Sequence, residues 1–92
     1  MKIEVEVMEQ DIRLGEQNMP TTCAVARAVK RALPRELKES VEAGSGCISC
    51  SGWDWPCTKK VKEFIERFDR DKTKCKPFKF TIRVGDTLYI PF

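Results

Sequence analysis

Apolar and charged residues alternate from the start of the chain. Between Met1 and Met8, Ile3, Val5 and Val7 interleave with Lys2, Glu4 and Glu6, the period-two pattern of a half-buried strand. Glu9 to Asn18 is mostly polar, with Gly15 as a turn residue, and reads as a loop or a single helical turn. The period then lengthens. Pro20-Thr21-Thr22 reads as a helix entry in which a threonine caps the first free amides. Between Cys23 and Leu33, Val25, Val29, Ala32 and Leu33 fall on one helical face while Arg27, Lys30 and Arg31 fall elsewhere. The cations sit late, where they complement the helix dipole, and Pro34 stops the helix.

Residues 35–46 carry two patterns. Leu37 and Val41 have helical spacing, whereas Ser40 to Ala43 also suits a strand, and Gly44-Ser45-Gly46 is a turn under either reading. With both flanks extended, residues 39–43 and 47–53 make a hairpin. Pro56 closes this region, and Cys57 or Thr58 can cap the next helix. There Val61, Phe64, Ile65 and Phe68 follow the amphipathic rule, with Lys62, Glu63, Glu66 and Arg67 around them. After Pro77, Phe78, Phe80, Ile82 and Val84 alternate with Lys79, Thr81 and Arg83. Gly85-Asp86 marks a turn, and Leu88, Ile90 and Phe92 alternate again, which predicts a second hairpin. The sum is an α+β fold: a small, mostly antiparallel sheet of four to five strands with two helices packed on one face, in one compact domain over residues 1–92.

Length and composition narrow the function classes. A chain of 92 residues buries about 60–65% of its unfolded surface, enough to fold alone but with little room for a deep catalytic cavity. No run reaches the length of a membrane span, and the first residues lack a signal-peptide pattern, so the expected location is cytoplasmic. Five cysteines, an odd number, argue against a disulfide framework. The absence of histidine removes the usual neutral-pH general base and excludes Cys-His and Ser-His nucleophile pairs. No enzyme is expected on these grounds. Net charge is +3 but unevenly placed. Residues 1–22 hold two basic and five acidic side chains, and residues 59–83 hold ten basic and four acidic ones. Such asymmetry suggests an electropositive face for phosphates or an acidic partner, although a charge run is more often a solvated surface.

The densest chemistry lies between Cys47 and Cys57, which holds three cysteines and both tryptophans. Cys47, Cys50, Cys57 and Cys75 form a possible set of four thiolates for a structural zinc. Against it, only the first two make a close doublet, and strand alternation puts those on opposite faces; ordinary packed thiols are the simpler reading. A redox role for the doublet would need a helix start that lowers the thiol pKa, and a Ser-Gly-Trp stretch follows instead. Cys23, at its helix start, is read as a core residue. No cofactor is expected. Trp53, Asp54 and Trp55, with Lys59 and Lys60, form the candidate ligand site: two aromatic planes could stack a base while the lysines hold its phosphates. The competing reading makes both indoles core for a small sheet. Finally, Lys72 to Lys79 interleaves cations with Phe78, sufficient for generic nucleic-acid affinity, though no recognition motif accompanies it.

Two segments carry a likeness. Cys23-Ala-Val-Ala-Arg-Ala-Val-Lys-Arg-Ala-Leu33, and Phe64-Ile-Glu-Arg-Phe-Asp69 followed by Lys76-Pro-Phe-Lys-Phe80, resemble a group of small uncharacterised bacteriophage proteins. Those proteins are similar in order: a Cys-initiated Ala-rich helix, a hairpin, a Phe-Ile-x-x-Phe-Asp helix and a Pro-Phe-x-Phe strand. The likeness covers about half the chain, and its motifs are structural. The cysteine-rich hairpin and the Thr87–Phe92 strand depart from the pattern. The resemblance implies a phage accessory protein that inhibits a host defence system, without catalysis, by stoichiometric binding in the host cytoplasm. Its partner would be a defence protein or a nucleotide-derived signal, and a homo-oligomer suits the second because two subunits can build a pocket that one cannot. The alternatives are a nucleic-acid-binding phage regulator using the basic second half, and a zinc-stabilised protein-interaction module.

Overall fold

The computed structural model of the chain describes residues 2–33, 41–44, 46–50 and 53–83. Its elements are β1 (Lys2–Val7), α1 (Glu9–Leu14), α2 (Ala24–Ala32), β2 (Glu42–Ala43), β3 (Cys47–Cys50), β4 (Trp53–Pro56), α3 (Lys59–Asp71), a 3-10 turn (Lys72–Lys74) and β5 (Phe78–Arg83). The fold is α+β, and all of its strand pairs among these residues are antiparallel.

β1 pairs with β5 so that Ile3 meets Ile82, Val5 meets Phe80 and Val7 meets Phe78 on one face. Glu6 lies opposite Lys79 on the other, an opposite-charge pair on the solvent side. β2, β3 and β4 make a second sheet in that order. The strands therefore split into two sheets rather than the single one expected. Besides the shared core, a side chain links them: the indole Nε1 of Trp55 in β4 donates to the Arg83 carbonyl of β5 at 2.6 Å. Glu42 and Ala43 pair with Ser49 and Ile48, as the hairpin reading of residues 39–43 required. The strand expected over 47–53 ends instead at Cys50. β4 then runs antiparallel to β3, and Ile48 faces Trp55 across the pair. The second half of the terminal hairpin, residues 84–92, lies outside the described residues.

One core unites the layers. Ala24, Val25, Ala28 and Val29 of α2 and Val61, Phe64, Ile65 and Phe68 of α3 are buried together with Val5, Val7, Ile48 and Ile82. Small residues on α2 let it approach β1 closely, while α3 reaches β5 through rings, with Phe64 and Phe78 centroids 4.6 Å apart. Thr58 caps α3 by accepting from the Val61 amide at 3.4 Å. The start of α2 differs from expectation. Cys23 holds the cap position without a side-chain hydrogen bond, and the Thr22 hydroxyl donates to Glu16 instead. The amides of Thr22 and Cys23 both point to the Met19 carbonyl, so a turn, not a threonine cap, leads the chain in.

The segment read as a loop or helical turn holds α1, and its cause is one buried acid. Asp11 is fully buried. One of its oxygens accepts from the Met8 amide at 2.9 Å, reaching back to cap α1. The carboxylate also takes a two-pronged contact from Arg31, at 2.9 and 2.6 Å, and Arg27 Nε lies 3.5 Å away. Burial opposes ionisation of Asp11, but the hydrogen bonds from Arg31 and Met8 and the nearby cations outweigh it and hold its pKa below the usual value. Arg31 in addition donates to the Glu6 carbonyl, so this network ties β1, α1 and α2 into one unit.

Candidate functional site

The five residues expected to form a ligand site are divided by the fold. Trp53 stands in β4 opposite Cys50, and Asp54 stands opposite Ser49. Asp54 is exposed and accepts from the Ser49 hydroxyl at 2.7 Å, on the sheet face away from Ile48. Trp55 is half-buried and packs against the core, its indole N–H already spent on Arg83. The Trp55 ring thus serves as a strut between the sheets, which is the core reading of this residue. It also lines a cleft of about 230 Å³ with Ile48, Cys57, Val61, Phe80 and Ile82. Lys59 is exposed at the first turn of α3.

Lys60 belongs elsewhere. Its ammonium lies 5.4 Å from the centroid of Phe78 and donates to the Lys79 carbonyl at 3.2 Å. It opens a groove of about 370 Å³ lined by Lys60, Glu63, Phe64, Arg67, Lys74, Lys76, Pro77 and Phe78. The helical period explains the first wall: positions 60, 63, 64 and 67 form one face of α3. The second wall is the segment from the 3-10 turn into β5. That segment is braced, because Asp71 accepts from both the Thr73 amide and hydroxyl and the Cys75 amide donates to the Lys72 carbonyl. Four cations and one carboxylate therefore surround an aromatic floor. Phe64 is nearly buried beneath it, and Phe78, half-buried, stacks on towards Phe80 with centroids 5.6 Å apart.

Reading by segment grouped Lys60 with Trp53 and Trp55, whereas the fold sets its ammonium over Phe78, and it treated Lys72 to Lys79 as a generic basic run. Arg67, Lys74 and Lys76 were missed as partners of Lys60. The available signal was the row Lys60, Phe64, Arg67 on one helical face, which needs a cationic neighbour only supplied by tertiary folding.

The five thiols do not gather into one cluster. All five cysteines, each among the described residues, are unbridged. Cys50 is buried and Cys47 half-buried on alternating positions of β3, so the doublet points to opposite faces, as strand geometry requires. Cys57 donates to the Gly44 carbonyl at 3.3 Å, and burial together with neighbouring Cys47 raises its pKa. Cys75 lies beyond α3, lining a different recess with Ile12 and Pro77, and burial raises its pKa too. Among the described residues no three His, Cys, Asp or Glu side chains gather in a way that could hold a metal ion, so Cys47, Cys50, Cys57 and Cys75 do not stand together as one set of four thiolates. Cys23 is a core thiol whose pKa burial raises. No helix among the described residues is long and apolar enough to cross a membrane. Comparison of the chain with protein-family models, with curated proteins and with solved structures gives no match.

Proposed function

We propose that this chain is a non-enzymatic binding protein that captures a nucleotide-derived ligand stoichiometrically in the groove between α3 and the segment Lys74 to Phe78. The observation that supports it is the gathering of Lys60, Arg67, Lys74 and Lys76 around the Phe64 and Phe78 rings in one recess. Ammonium and guanidinium groups are the natural partners of phosphate oxygens, with Arg able to engage two at once. The aromatic floor offers apolar area to a base or sugar. The groove volume falls at the lower end of small-ligand sites, about 300–1,000 Å³. Taken with the likeness to small bacteriophage proteins, capture of a nucleotide signal makes the chain an inhibitor of a host defence system in the host cytoplasm. The same cations would serve a nucleic-acid-binding regulator, and the test separates the two.

Calorimetric titration of the intact protein with adenosine monophosphate at low salt is expected to show saturable, one-per-subunit binding that Arg67→Glu and Lys74→Glu each weaken by about tenfold or more. Duplex DNA of arbitrary sequence is the comparison: tight, steeply salt-dependent association with DNA and none with the nucleotide would replace capture by nucleic-acid binding. Absence of both at low salt would refute the groove as an anion site. Native mass spectrometry of protein taken from expressing cells reports retained ligand and subunit number together.

A further inference from the structure

A second recess lies on the other side of the same braced segment. It measures about 470 Å³ and is lined by Glu9, Ile12 and Arg13 of α1, the 3-10 turn, Cys75, Lys76 and Pro77. Lys76 and Pro77 line both recesses, so the segment is a ridge with an exposed cation at its crest. The two sides have the same plan. Each has an apolar floor, Phe64 and Phe78 on one side and Ile12 and Cys75 on the other, and each has a single carboxylate, Glu63 or Glu9. The ridge is fixed at its turn end. Lys72 Nζ donates to the carbonyls of Arg13 and Gly15, each at 2.9 Å, which anchors the turn to the end of α1. The Cys75 amide closes the turn on the Lys72 carbonyl.

Building on the capture reading, we infer that the ligand is dinucleotide-like: two heterocyclic bases, one in each recess, joined by a phosphodiester that sits on Lys76 at the crest. A mononucleotide could use only one floor. Two floors joined by one cation suit a ligand whose apolar planar groups flank a single anionic bridge, and each carboxylate can accept from a base amino group. Tethering the second base converts its binding into an intramolecular event, so affinity rises without further charge.

The experiment compares adenosine monophosphate with adenylyl-adenosine, which has two adenines on one phosphodiester and carries less phosphate charge. If cations alone bound the ligand, the monophosphate would bind more tightly. Expected instead is that adenylyl-adenosine binds about tenfold more tightly. Arg67→Glu should weaken both ligands, whereas Arg13→Glu, at an exposed position of the second recess, should weaken adenylyl-adenosine alone. An oligoadenylate of eight residues distinguishes a free dinucleotide from a step within a strand. Equal affinity per site for the two marks a strand-borne step, and exclusion of the longer chain marks a free dinucleotide. Binding of the monophosphate with no gain for adenylyl-adenosine, or indifference of adenylyl-adenosine to Arg13→Glu, overturns the two-recess inference while leaving the groove intact. Failure of both ligands to bind at low salt overturns the two together.

Discussion

Replacement of Asp11 by Asn tests the fold at its most connected polar group. The carboxylate is fully buried and holds four contacts: two from Arg31, one from the Met8 amide and one ion pair with Arg27. Asn keeps the shape but removes the charge and turns one acceptor into a donor, which then faces a guanidinium donor. Breaking a buried ion pair from one side costs about 3–5 kcal/mol when the partner stays buried. Here the partners are part-exposed, the side chains of Arg27 and Arg31 being 35% and 44% exposed, so Arg31 can turn to water, although Arg27 Nε is itself buried. The expected loss is therefore smaller, about 2–3 kcal/mol, or a fall in Tm of roughly 10–20 °C for a domain of this size. Urea unfolding followed by far-ultraviolet circular dichroism should show a lower midpoint with an unchanged slope.

The pH dependence adds a second readout. Asp11 is held below its ordinary pKa in the folded protein, so its stabilisation is present above the unfolded carboxylate value, about pH 4. It is lost as pH falls through the folded value. The Asn variant lacks that component, so the gap between the two proteins should narrow on acidification below about pH 4. A variant within about 0.5 kcal/mol of the parent at neutral pH, or a gap that stays constant down to acid pH, would refute the view that Asp11 joins β1, α1 and α2.

Gly15→Ala places a Cβ 2.6 Å from the Asp11 carbonyl and 2.7 Å from the Ala24 amide. Both neighbours are backbone, so α1 and α2 must move apart, and urea unfolding should show a loss of about 2–3 kcal/mol. Trp55→Phe removes the hydrogen bond to Arg83; because Arg83 is exposed, water can replace the donor, and the same assay should give a loss of about 1 kcal/mol. Cys23 is 3% exposed and its thiol stays protonated at neutral pH because burial raises its pKa. Iodoacetamide should leave it unmodified in the native protein and label it in urea, as peptide mass spectrometry reads out.

Most elements were legible in the sequence wherever one face of a period decided the burial. Val61, Phe64, Ile65 and Phe68 are buried as the helical row required, and Val5 and Val7 as the strand alternation required. α1 was legible only as a loop or a single helical turn because its determinant is polar. Asp11 in a polar segment resembles a surface residue until the chain folds and α2 presents Arg27 and Arg31, one turn apart, to the same carboxylate. Those two arginines on one helical row were the only local hint. The number of sheets was illegible for a different reason. Alternation fixes which face of a strand is buried but says nothing about which strand is its neighbour, and β1 and β5 meet across almost the whole chain.

The residues expected to form one site are separated for the same reason. Within the sequence Lys59 and Lys60 stand next to the tryptophans, and proximity along the chain suggested one site. A helix start separates neighbours by direction: at about 100° per residue, Val61 turns into the cleft that Trp55 lines while Lys60 turns towards Phe78. Trp55 is then consumed in joining two sheets, and the aromatics left beside the cations are Phe64 and Phe78. What makes the groove cationic is therefore the meeting of the 60, 64, 67 face of α3 with the braced turn at 72–77, not the density of either segment alone. This predicts that charge reversal at Lys59, which is exposed at the same helix start but outside the groove lining, leaves nucleotide affinity within about twofold of the parent once salt screens its field. The equivalent change at Arg67 does not. Calorimetry of the two variants at physiological salt compares them directly, and an equal loss for both would mean that net charge, rather than the groove, attracts the ligand.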